Sequence, residues 1–204
     1  MKKAVAVLCV VGTSAMISAT TWGAGKPTVV NKAYGFSFSL PHRWYVAPLN
    51  GKDLGYFLDE AAKKDPSMKS YLTNEVKKET EQGVKEFAVG PLVGTFAPNI
   101  NVIVVSSAGT PRGAAFFTAI NAQAKVELTA AGCKKLNISK AKLRFGTVER
   151  ATYYLTFKGS KQRVQGLQIY FLHTNHVYIV TFTTTSQAKN DAVMARVADT
   201  WRWS

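Results

Sequence analysis

The sequence predicts an α+β fold, an antiparallel sheet with helices packed on it, and three observations carry that reading. Strand-like and helix-like segments come in clusters, not in strict alternation. The last four strand-like segments, 136–145, 148–157, 163–173 and 176–184, are joined by connections too short for the crossovers that parallel strands need. The third of them is apolar on both parities, Leu167, Ile169 and Phe171 against Val164, Tyr170 and Leu172, so helices are expected over both of its faces.

The chain opens on Met1, Lys2 and Lys3, an apolar run at 4–11 and a small and polar stretch at 12–25. That order reads as a secretory signal at 1–24, cleaved between about 19 and 25. The run is far below the roughly 20 residues of a membrane-spanning helix, so the leader is expected to be removed, leaving no transmembrane segment in the mature chain. Cys9 lacks the small residues that precede a lipid-attachment cysteine. One exported domain, 25–204, is therefore expected, periplasmic or extracellular. It keeps only Cys133, so no intramolecular disulfide can form and packing must hold the fold. The whole chain carries a net charge of +14; losing Lys2 and Lys3 with a leader that has no acid leaves +12. Such a balance favours an acidic protein or an anionic envelope component, and export makes nucleic acid the least natural polyanion.

The elements follow in order. In Tyr34 to Trp44, YGFSFSLPHRW, the residues Phe36, Phe38 and Leu40 share one face of a strand. Pro41 ends it and Trp44 begins another, so the stretch reads as a hairpin or bent edge with its aromatics inward. Over 53–83 the period becomes helical: Leu54, Phe57, Leu58 and Ala61, then a cap at Asp65 before Pro66, then Met68, Leu72 and Val76, with Gly83 as the stop. Strands are expected at 84–89 and 100–106, the second too continuously apolar for an exposed face. Thr110 and Pro111 open a helix that buries Phe117, Ile120, Ala124 and Leu128 and ends at Gly132. After the four clustered strands, a last helix over about 187–201 carries the stripe Val193, Val197 and Trp201.

Three stretches, YGFSFSLPHRW, FAPNINVIVV, and YFLHTNHVYIVTFTTT with the ADTWRW ending, resemble the PsbP-like or Mog-like superfamily, whose bacterial exported members include DcrB and LpqN. The resemblance spans most of the mature chain. It implies an αβα sandwich around a central antiparallel sheet, used mainly for binding proteins or supporting assemblies. No family binding residue is carried over.

No catalytic constellation emerges. The chain lacks the Gly-x-Ser-x-Gly elbow, the phosphate-binding glycine loop, the dinucleotide fingerprint and the His-Glu-x-x-His zinc helix. No cofactor is implied. His173 and His176 flank the turn Thr174-Asn175 and are weak metal candidates, since a tetrahedral site needs further ligands that nothing ties to the turn. Cys133 precedes Lys134 and Lys135, whose charges would favour thiolate, but no base is committed to it and it reads as structural.

The run KKLNISKAKLR holds basic residues and no acid. Lys140, Lys142 and Arg144 alternate with Ala141, Leu143 and Phe145. A three-residue loop at 146–148 pairs Arg144 with Arg150, Lys142 with Thr152 and Lys140 with Tyr154, which keeps charge on one face and apolar side chains on the other. This makes Lys140, Lys142, Arg144 and Arg150 the expected partner-binding face, or else a solvated strand edge guarded by charge. Three functions stay open. The first is a non-enzymatic binding or assembly module docking an anionic partner. The second is a small-molecule or lipid carrier with its pocket between the sheet and the 53–83 helices, for which Tyr71 is the polar candidate. The third is a cysteine enzyme.

Overall fold

The computed structural model describes residues 27–49, 52–64, 66–91, 96–156 and 163–204; the leader expected at 1–24 and the cap expected at Asp65 lie outside them. Along the described chain come β1 (Thr28–Asn31), β2 (Phe36–Ser39), β3 (Tyr45–Ala47), α1 (Lys52–Lys64), α2 (Ser67–Glu81), β4 (Glu86–Val89) and β5 (Asn99–Ser106). There follow α3 (Ala114–Ala130), β6 (Lys134–Leu143), β7 (Gly146–Thr156), β8 (Arg163–His173), β9 (His176–Thr184), α4 (Gln187–Thr200) and β10 (Arg202–Trp203). Seven strands form one sheet in the order β3-β4-β5-β9-β8-β7-β6, and β1, β2 and β10 form a second. Every pairing is antiparallel, as the short connections require.

The strand that is apolar on both parities, β8, lies inside the large sheet and is covered on both faces. On one side Leu167, Ile169 and Phe171 pack with Val193 and Val197 of α4 and with Phe36 and Phe38 of the small sheet. On the other, Tyr170 and Leu172 lie beneath Phe116, Ile120, Ala124 and Leu128 of α3. The β3-β4-β5 end of this second side is covered by α1 and α2, where Phe57, Leu58, Leu72 and Val76 meet Phe87 and Val89. The result is an αβα sandwich in which the small sheet shares a layer with α4.

The aromatics of the opening stretch do point inward. Phe36 and Phe38 stack on Trp201 with ring centroids 4.9 Å and 5.2 Å away, and Phe171 meets the same indole edge-on at 5.5 Å. Such pairs contribute about 0.5–1.5 kcal/mol each beyond the area they bury. The hairpin, however, is a different one. β2 pairs with β1 and with β10, two short strands the sequence pattern did not mark, while β3 crosses into the large sheet beside β4. Four- and two-residue strands are too short to show a period. The third helix also starts later than expected, at Ala114, because residues 107–110 close a turn through Thr110 N–H to Ser107 O at 2.9 Å. It buries Phe116 where Phe117 was expected, and Phe117 is half-buried.

The largest correction concerns the β6–β7 hairpin. The turn is Arg144-Phe145, so Leu143 faces Gly146, Ala141 faces Val148, Lys140 faces Glu149 and Ser139 faces Arg150. The expected pairs of Arg144 with Arg150, Lys142 with Thr152 and Lys140 with Tyr154 do not form. This register puts Arg150 on the face of Leu143 and Glu149 on the interior α3 face, which binary patterning forbids for bare charges. Helices distant in sequence remove the objection. Asp191 of α4 accepts from Arg150 at 2.6 Å, and Asn121 of α3 donates to Glu149 at 3.1 Å.

Candidate functional site: a basic strand edge

β6 is an outer strand of the large sheet, hydrogen-bonded on one side only. Lys134, Lys135, Lys140 and Lys142 are exposed along it, and none of them is ion-paired within the described residues. A bulge between Lys134 and Asn137 holds Lys135 at φ 51°, a left-handed conformation that a lysine adopts only when the neighbouring ladder imposes it. There its ammonium lies 5.7 Å from the ring centroid of Tyr154, and the Arg163 guanidinium lies 4.4 Å from the same ring. Lys134 is the cross-strand neighbour of that tyrosine. One aromatic ring thus gathers two cations, each cation–π contact worth about 0.5–1 kcal/mol at an exposed site.

Two of the four residues expected to form the basic face belong to this edge and two do not. Lys140 and Lys142 project on the α3 side, where the Lys140 ammonium sits 5.0 Å from the Phe117 ring centroid. Arg150 leans to the α4 side and is ion-paired with Asp191. Arg144, in the turn, donates to the Asp199 carbonyl at 2.9 Å, an oxygen that also accepts from Arg202 at 3.0 Å. Both arginines therefore fasten the hairpin to α4, and the four are not brought to one face. Lys134, Lys135, Tyr154 and Arg163 were missed because a strict period of two cannot place a bulge. The available signal was the lysine pair at one end of β6 and the basic run KGSKQR, whose last residue Arg163 opens β8.

The other candidates resolve as follows. His173 and His176 are cross-strand neighbours at the β8–β9 turn, and each ring has an aromatic neighbour. His173 stacks on Trp203 with centroids 3.6 Å apart, and His176 meets Tyr34 edge-on at 5.6 Å. Burial lowers the His173 pKa. Among the described residues no group of three His, Cys, Asp or Glu side chains could hold a metal. Cys133 is buried in the α3 core with Tyr153 and Tyr170, and burial pushes its thiol up, the opposite of what a nucleophile needs. The side chain of Tyr71 lies outside the described residues. A polar residue does interrupt the α2 stripe, however. Glu79 follows Val76 by three and Leu72 by seven, is 4% exposed, and accepts from Asn101 Nδ2 of β5 at 3.0 Å. Burial pushes its carboxyl up to about 7, against the opposing pull of Lys78 and the Asn101 hydrogen bond. Its helical spacing was the signal.

Among the described residues, no helix is long and apolar enough to cross a membrane. No protein-family profile and no curated protein matches the chain. Solved structures do resemble it. A protein of Bacteroides thetaiotaomicron VPI-5482 is 14% identical over 89% of this chain with a TM-score of 0.46, and the present chain spans about half of that protein, 49%. Cyanobacterial PsbP of Synechocystis sp. PCC 6803 is 13% identical with a TM-score of 0.47, over 95% of this chain and 99% of its own. LpqN of Mycobacterium tuberculosis, described as involved in cell envelope biogenesis, is 10% identical with a TM-score of 0.42, over 90% and 88%. At 10–14% identity these are resemblances to solved structures and nothing more.

Proposed function

We propose that the chain is an exported, non-enzymatic binding module that docks an acidic partner through the basic edge of β6. The observation that supports this most is the set of exposed cations, Lys134, Lys135 and Lys142 on the edge with Arg163 beside them, lacking any carboxylate partner within the described residues. A strand edge needs only one or two charges to resist aggregation. Three lysines with a cation-flanked tyrosine exceed that need and fit a partner rich in carboxylates. Charge complementarity of this kind acts mainly on the association rate and weakens steeply with salt.

The test is the triple reversal Lys134→Glu, Lys135→Glu and Lys142→Glu, which leaves the fastened Arg144 and Arg150 intact. Binding to immobilised poly-glutamate is measured across a salt series, beside a control reversal of exposed Lys32, Lys77 and Lys125 that changes the net charge equally. Loss of binding in the edge variant alone is the expected result. Equal loss in both variants would reduce the effect to net charge and remove the edge as a docking surface.

A further inference from the structure

Between the two helical covers on one side of the large sheet, the apolar surface gives way to a polar floor. Register sets Asn101, Thr181 and Gln168 side by side across β5, β9 and β8, with Asn99, Thr183 and Gly166 in the adjoining row. Apolar clusters lie on either flank, under α1 and α2 on one hand and under α3 on the other. Asn99 and Thr181 are each 7% exposed, while Asn101, Thr183 and Gln168 are half-buried, so solvent reaches the floor. Interior sheet positions are filled with apolar side chains unless polar ones have a task.

The floor consumes its own donors. Gln168 Nε2 donates to Thr181 Oγ1 at 3.1 Å, the Tyr170 hydroxyl donates to Gln168 Oε1, and Asn99 Nδ2 donates to Ala97 O at 3.4 Å. Beside the threonine hydroxyls, what remains under α2 are acceptors. Asn101 gives its Nδ2 to Glu79, and its Oδ1 is buried with no donor. Glu79, itself buried, has that amide as its hydrogen-bond partner and, among the described residues, no ion-paired cation, since Lys78 lies 3.7 Å from Glu75 instead. On the same side Tyr170 and Glu127 bring no positive charge, Lys78 acts on Glu79 only at a distance, and Lys140 sits over Phe117 at the far edge of α3. A buried carboxylate without a cation and a buried carbonyl without a donor are both costly. One kind of group relieves both: an ammonium carries a positive charge and three N–H donors.

We propose that the floor beneath α2 and α3 binds a small primary ammonium compound, its nitrogen seated between the Glu79 carboxylate and Asn101 Oδ1 and its polar body over Thr181, Thr183 and Gln168. The site is separate from the basic edge of β6 and stands or falls without it. In a chain of net charge +14 it is a place where acceptors converge and, among the described residues, no lysine or arginine forms an ion pair with them.

Ethanolamine is the probe and N-acetylethanolamine, of similar body but uncharged, is its control, at about pH 8 where Glu79 is ionised. In a ¹⁵N-labelled sample the Asn101 side-chain amide signals shift saturably with ethanolamine, at a Kd on the order of 1 mM, and do not shift with the control. Glu79→Gln, which keeps shape and the amide contact, weakens the response at least about tenfold, the cost of one buried charge-assisted contact. Thr181→Val, away from the carboxylate, weakens it several-fold. Equal response to the uncharged control, indifference to Glu79→Gln, or no saturable shift would each overturn the site. A saturable shift with calcium chloride in place of ethanolamine would overturn it too, as a metal site.

Discussion

Lys140 and Lys142 lie two residues apart on one strand face, yet reversing their charges has different consequences. Lys142 stands opposite Thr147, whereas Lys140 stands opposite Glu149, 2% exposed and with one carboxylate oxygen unpartnered. Lys140→Glu sets a second carboxylate across from a buried one and is expected to cost about 1–3 kcal/mol in urea unfolding, whereas Lys142→Glu should stay within about 0.5 kcal/mol. Equal effects would show that Glu149 does not face Lys140. Cys133 makes a similar point about chemistry and location. The adjacent lysines would activate an exposed thiol, but at 9% exposure desolvation prevails. Native protein should therefore react with Ellman's reagent far more slowly than unfolded protein, and Cys133→Ala should cost about 1–2 kcal/mol with binding retained. Rapid native labelling, or loss of function in a folded Cys133→Ala protein, would reopen the cysteine-enzyme reading.

At the scale of the element, the β6–β7 hairpin turns on where its loop falls. A two-residue loop at Arg144-Phe145 makes Lys142 and Thr147 direct neighbours, and the pair next to a two-residue loop's closing residues is a non-hydrogen-bonded one, with Cα atoms about 4.5 Å apart. That separation lies within the range of a disulfide. In a Cys133→Ser background, Lys142→Cys with Thr147→Cys should oxidise readily, whereas Lys142→Cys with Thr152→Cys should not. The opposite pattern would restore the three-residue loop. Gly166 constrains β8 in another way: a Cβ there would fall 2.1 Å from the ring of Tyr153, which is buried and has no room to withdraw. Gly166→Ala should lower stability by about 1–3 kcal/mol through overpacking.

Over the whole molecule, two carboxyls, Glu79 buried and Glu86 half-buried, tie layers together by the same chemistry. Glu79 joins α2 to β5 through Asn101, and Glu86 joins β4 to β1 through Asn31 Nδ2 at 2.9 Å. Burial pushes both carboxyls up to about 7 from an ordinary 4.5. Between these values the folded chain holds protons that the unfolded chain has released. These groups therefore add stability below about pH 4.5, and it is lost as pH rises through about 7. Unfolding free energy should fall by a few kcal/mol between about pH 5 and pH 8. The double variant Glu79→Gln with Glu86→Gln should flatten the fall; an unchanged slope would place its origin elsewhere.

By itself the sequence determined the α+β class, the two helices over 53–83, the interior strand at 100–106, the four clustered strands and the closing helix. Each shows a period long enough to read, and each period records a face that must leave water. The inward aromatics of the opening stretch were legible for the same reason. Tertiary structure decided the rest. It chose the partners of β2, because strands as short as β1 and β10 carry no period. It set the β6–β7 register, because Asp191 and Asn121, both from helices remote in sequence, make charged positions tolerable on faces that patterning reserves for apolar ones. It also fastened Arg144 and Arg150 to α4 while leaving Lys140 and Lys142 on the outer strand, and it buried Glu79 against Asn101. A local pattern records which side of an element avoids water, whereas the pairing of one charge with another depends on which elements meet.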